Sequence, residues 1–257
     1  MRLMKRILSA AAVLALSASL LVGCSSTASS VPASASSAAE STVSSVEETA
    51  SSAVDENEAA AAQLLNDLTG SYQELWPVIL ADEYKQTWLD DCTALVGEDN
   101  AEAAFEKLSS MVTSDVYGED AVEAYANGGG AYFCGFTNSL ATLTFDGETS
   151  TISGTDKDGN VLFSHTYHYI GMEPVHGLYE FESDDADSGE FTYFFLAPDT
   201  SAETYHIEFR YGSDAEALSQ YDAGEYAYWV ASGISTDCDQ TMIDNCIELF
   251  CTENLAG

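Results

Sequence analysis

The spacing of apolar residues changes abruptly about halfway along this chain, and that change limits the folds open to it. Leu64, Leu65, Leu68, Tyr72, Leu75 and Trp76 recur at helical spacing. Ser71 followed by Glu74 reads as a capping box that restarts this helix after Gly70. Further helices are expected over 82–95, from Asn100 with Phe105, Leu108 and Val112 on one side, and over 121–125. The run Gly128-Gly129-Gly130 then ends the helical pattern. From Ala131 the period is two. Candidate strands cover 132–136, 141–145, 149–154, 161–170, 178–182, 191–196 and 205–211. Asp146-Gly147, Asp158-Gly159-Asn160, the acidic stretch 183–189 and Pro198-Asp199 separate them as turns. Sequential strands on short turns make an antiparallel meander, and about seven of them make a barrel or a strongly curled sheet. A partly helical stretch over 215–228 and a helix over 239–253 follow. Helices gathered at the ends of an antiparallel sheet define an α+β fold.

Three segments divide the chain. Residues 1–23 carry Arg2, Lys5 and Arg6, then an apolar run from Ile7 to Val22, then Gly23 before Cys24. That run is too short and too interrupted by Ser9, Ser17 and Ser19 to span a bilayer, so it reads as an export signal. Leu21-Val22-Gly23-Cys24 resembles a lipobox, which implies cleavage before Cys24 and lipidation of its sulfur. Residues 24–56 are almost all Ser, Ala, Thr, Val and Glu, without an aromatic residue, and read as a flexible tether. Residues 57–257 hold every Trp, Tyr, Phe and His and form the folded domain. The chain is thus expected at the bacterial cell envelope, on the extracytoplasmic side, held to the membrane through the lipid on Cys24.

After the signal only Lys85, Lys107, Lys157 and Arg210 oppose 43 acidic residues, a net charge of −39 with His neutral. Such a charge repels nucleic acid and attracts cations. Five cysteines follow Cys24, without a Cys-x-x-Cys pair; an oxidising compartment permits disulfides, and an odd count leaves at least one unpaired within the chain, with no pairing assigned by the sequence. No nucleophile, zinc-protease or phosphate-loop motif occurs, so an enzyme is not expected.

The residues that carry coordination chemistry are few. On a strand over 205–211, Tyr205, Ile207, Phe209 and Tyr211 share one face, and His206, Glu208 and Arg210 the other. An imidazole and a carboxylate two positions apart can converge on one cation. His165 and His168 fall on opposite faces of their strand, so one of them at most joins that pair; His168 is preferred. His176 is expected in an exposed loop. Asp156-Lys157-Asp158-Gly159-Asn160 lacks the later acidic ligand of a calcium loop and reads as a hairpin turn. Asp184, Asp185 and Asp187 form an acidic loop suited to loose cation binding.

Several stretches resemble ZinT-like (YodA-like) domains. Leu65-Asn66-Asp67-Leu68-Thr69-Gly70-Ser71-Tyr72-Gln73-Glu74-Leu75-Trp76-Pro77 is similar to that family's opening motif. Gly177-Leu178-Tyr179-Glu180-Phe181-Glu182 is similar to its Tyr-x-Phe-Glu strand, and Phe195-Leu196-Ala197-Pro198 with the His206 strand to its Ile-Ala-Pro and His-x-His segments. The resemblance runs from about residue 63 to 254. It implies a lipocalin-like barrel with added helices, zinc binding outside the cytoplasm and a link to a metal-uptake transporter. Carried over by position, the family's His-x-His falls on His206 and Glu208, and its preceding His falls on Phe194. The metal set expected here is therefore His206, Glu208 and His168, aimed into the mouth of the barrel, with zinc as cargo. The alternative is a degenerate calycin-like module that binds a small organic ligand, or another envelope protein, without metal.

Overall fold

Eight strands close into an antiparallel barrel in which every strand pairs with its sequence neighbours and the last pairs with the first. The computed structural model describes residues 56–127, 130–197 and 206–256. The lipobox-like run, Cys24 and the Ser/Ala-rich segment up to residue 55 lie outside them, as do Pro198, Asp199 and Tyr205. No helix among the described residues is long and apolar enough to cross a membrane.

Helix α1 (56–67) is followed by strand β1 (Gly70–Glu74) and the short helix α2 (Leu75–Ile79). The expected capping box at Ser71 is therefore absent: Ser71 is in mid-strand, and its hydroxyl meets that of Thr144 at 2.8 Å. Tyr72 fits helical spacing, but pairing with β2 on one side and β8 on the other outweighs that local preference, whereas Leu75 begins α2 as its spacing suggests. A 3-10 turn (Asp82–Tyr84) leads into α3 (Lys85–Val96), α4 (Glu98–Ser110) and α5 (Glu119–Ala126). Gly97, at φ 83°, makes the sharp break between α3 and α4.

The meander follows the sequence pattern closely: β2 (Thr142–Asp146), β3 (Thr151–Thr155), β4 (Val161–Met172), β5 (Tyr179–Ser183), β6 (Tyr193–Leu196) and β7 (His206–Gly212). After the short helix α6 (Ala215–Leu218), β8 (Ala231–Ser235) closes the barrel, and α7 (Gln240–Leu255) ends the chain. Asp239 caps α7, accepting from the Met242 amide at 3.0 Å. Residues 132–136, expected as a strand, make only isolated bridges, from Phe133 to Thr113 and to Trp229. The barrel's eight strands are complete without this segment.

Two buried clusters result. The first fills the barrel with Leu143, Phe145, Ile152, Phe163, Phe181, Phe194 and Phe209, among others. Phe194 sits among these rings, 5.9 Å from Phe163, 5.4 Å from Tyr167 and 5.4 Å from Tyr211 by centroid. Gly154 makes room for them: a Cβ there would come within 2.4 Å of Phe163. The second cluster lies between the outer face of the barrel and the helices. It joins Leu75, Trp88, Cys92 and Leu108 to Ile234 and to Ile243, Cys246, Ile247, Phe250 and Cys251 of α7.

Candidate functional site

Cross-strand partners share a face of the sheet, so the register of β7 decides where its polar residues point. Phe194 pairs with Tyr211, and Phe209 with Ala231, all inside the barrel. Ile207, Phe209 and Tyr211 therefore take the interior, and His206, Glu208 and Arg210 take the outer face. The expected orientation of His206 and Glu208, into the mouth of the barrel, is reversed. The apolar set of β7 fills the interior because it completes the stack begun by Phe163, Tyr167 and Phe194.

The outer face is not open to water either. His206 pairs with Ile234 across to β8 and is 6 % exposed. The ring of Phe250, from α7, lies 5.7 Å away by centroid. Burial pushes the His206 pKa down to about 4, so the imidazole is neutral over the physiological range. Glu208 pairs with Ser232, whose amide donates to the Cys134 carbonyl at 3.0 Å. The thiols of Cys134 and Cys246 are both pushed up, first by burial and then by the Glu208 carboxylate. Both thiols are thus within electrostatic reach of Glu208. Nothing in the strand pattern marked these two cysteines; only the i, i+4 spacing of Cys246 and Phe250 places them on one face of a helix.

His168 does not join this group. It lies on the outer face of β4, three strand steps from β7, roughly 14 Å along the sheet. Its Nδ1 is 2.8 Å from Asp184 Oδ1, and its Nε2 is 3.9 Å from Glu182 Oε2. His165 faces inward along the Phe163 side, with Nδ1 2.7 Å from Asp185 Oδ2. The two histidines do point to opposite faces, and each holds one carboxylate of the acidic loop. Asp156 accepts from the Asp158 and Asn160 amides, both at 2.9 Å, as a hairpin turn requires. Among the described residues, no three His, Cys, Asp or Glu side chains are gathered as a metal site.

His176 is not the exposed loop residue expected from the sequence. Its ring packs on Tyr221 with centroids 3.7 Å apart, and its Nδ1 is 3.4 Å from Glu173 Oε2. Glu173 is buried and accepts from the amides of Val175 at 3.0 Å and His176 at 2.5 Å. Burial pushes the Glu173 carboxyl up, but the hydrogen bonds from His176 and these amides outweigh it and hold it below the usual range. The Arg210 guanidinium also lies over the Tyr221 ring, 4.2 Å from its centroid. Arg210 is fully buried and donates to the carbonyls of Leu218, Gln220 and Tyr226. Its work is to satisfy the loop that carries the chain from α6 to β8. Arg210 is the sole arginine of residues 57–257, and that isolation was the sequence signal for it.

A cleft of about 310 Å³ opens beside Cys134, lined by Glu74, Trp76, Val112 and Phe133. The Glu74 carboxylate accepts from the Phe136 amide at 2.6 Å and so fixes the wall of this cleft.

The chain is an α+β protein built on a closed eight-stranded antiparallel barrel with helices packed outside it. No protein-family model matches it, and no curated protein matches it significantly. Among solved structures it is similar to the Zn(II)-bound ZinT-like domain of Streptococcus pneumoniae AdcA, at a TM-score of 0.44 and 15 % identity over 70 % of this chain and 87 % of that one. It is also similar to Zn(II)-bound AdcA from the same organism, at a TM-score of 0.41 and 13 % identity over 71 % of this chain. The match spans 34 % of that longer chain. Neither likeness assigns this chain a ligand.

Proposed function

We propose that this chain is a lipid-anchored protein of the bacterial cell envelope that captures a divalent cation, zinc in the first instance, for uptake or homeostasis. The observation that carries the reading is the placement of His206 and Glu208 on one face of β7, the outer face of the barrel, whose buried layer also contains Cys134 and Cys246 and whose Glu208 carboxylate acts on both thiols. A neutral imidazole, a carboxylate and thiols are donor types that zinc takes. They do not stand as a ready cage, since no three are gathered; binding requires them to close on the ion, which displaces protons from the thiols. Phe194 belongs to the barrel core and takes no part, and His168 stays with the acidic loop. The export signal, Cys24 and the charge of −39 support a cation-attracting protein held at a membrane face. A metal-uptake transporter is the partner that such a role needs.

Titration of the metal-stripped full chain with zinc tests this directly. Saturable binding that is lost in His206→Ala and weakened in Glu208→Gln supports the proposal. Binding that neither substitution changes, or no binding at all, removes it. In that case the second reading gains: a metal-free module whose small-molecule site is the cleft beside Trp76 and Glu74, since aromatic side chains occupy the barrel interior.

A further inference from the structure

We infer that Cys92 and Cys251 form a disulfide that fastens the C-terminal helix to the helical layer once the chain meets a thiol-oxidising compartment. Cys92 lies on α3 and Cys251 on α7, 159 positions apart in the chain. Their sulfurs are 3.9 Å apart, and both residues are fully buried. Closing to a bonded distance of about 2 Å needs rotation of the two side chains within helices that already pack together. The remaining described cysteines are placed differently. The Cys134 carbonyl accepts from the Ser232 amide of β8 at 3.0 Å, and Cys246 lies on α7 toward the N-terminal side of Cys251. Cys238 precedes α7 and is half-buried.

The reaction is thiol–disulfide exchange with a small-molecule or protein disulfide. One protein thiolate attacks that disulfide and releases a thiol. The second protein thiol, losing its proton, attacks the mixed disulfide and releases the other. The two protein sulfurs are oxidised and the oxidant's two sulfurs are reduced. Exchange requires access and a thiolate. Burial supplies neither in the docked helices, so the bond forms before α7 settles and is protected afterwards. Because Phe250, one residue before Cys251, packs on His206, the bond also ties down the cover of the His206–Glu208 pair.

The test is to refold the full chain in a mixture of reduced and oxidised glutathione, block free thiols with N-ethylmaleimide and map the peptides. The expected result is one linked pair of peptides, containing Cys92 and Cys251, with Cys134 and Cys246 blocked only after unfolding. The oxidised chain should melt higher than the same chain kept in dithiothreitol, by roughly 10 °C for so long a closed loop. Cys251→Ala should melt alike with and without dithiothreitol. A map in which Cys92 and Cys251 both carry the blocking group, or in which either is bonded to another cysteine, overturns the inference.

Discussion

Lowering the pH should unfold this protein partly through a single imidazole. His206 is 6 % exposed and its pKa is pushed from 6.5 to about 4 by burial beneath α7. The folded chain therefore refuses a proton that the unfolded chain accepts. Above about pH 6.5 neither state binds it and the residue's full contribution is present. As the pH falls toward 4 the unfolded state is increasingly favoured. A displacement of that size is worth about 3 kcal/mol at its limit and about 2 kcal/mol at pH 5. The many carboxylates of the chain also respond to acid, so a comparison is needed to isolate His206. Urea unfolding of wild type and of His206→Gln, with a chelator present, at pH 7.5 and pH 5.0 provides it. Wild type should lose about 2 kcal/mol more than the variant over that interval. Equal losses would show that the imidazole is solvated or already protonated in the folded state, and the burial argument would fail.

Four further outcomes follow from the packing. Phe194→Ala removes a ring from the centre of the barrel and should cost about 3–5 kcal/mol in urea unfolding. Arg210→Met keeps the bulk but strands the carbonyls of Leu218, Gln220 and Tyr226; a loss of about 2–4 kcal/mol and faster amide exchange over 218–228 are expected. Glu173→Gln should destabilise at pH 7 and much less near pH 3, because the depressed carboxyl contributes only while ionised; a urea series across that range checks the sign. Asp184→Asn and Asp185→Asn act on half-exposed carboxylates paired with His168 and His165, and should each change stability by less than about 1 kcal/mol.

The alternation from residue 141 onward was enough to set six of the eight strands and their turns, because a period of two and a strand backbone imply each other. The alternation of β7 also separated His206, Glu208 and Arg210 from Ile207, Phe209 and Tyr211. It did not say which set lies inside. Closure of the barrel through β1 and β8 decided that, and neither strand was legible: β1 carries helical spacing, and β8 (Ala-Ser-Gly-Ile-Ser) is too small and polar to show a pattern. The lipobox-like run and the scarcity of basic residues are local or compositional facts, readable without coordinates. The contact between Cys92 and Cys251, the burial of His206 under Phe250 and the separation of His168 from β7 are not. Each depends on which helix lies across which strand, and that arrangement is fixed by burying both sides of the sheet at once, a condition no single segment of the chain can express.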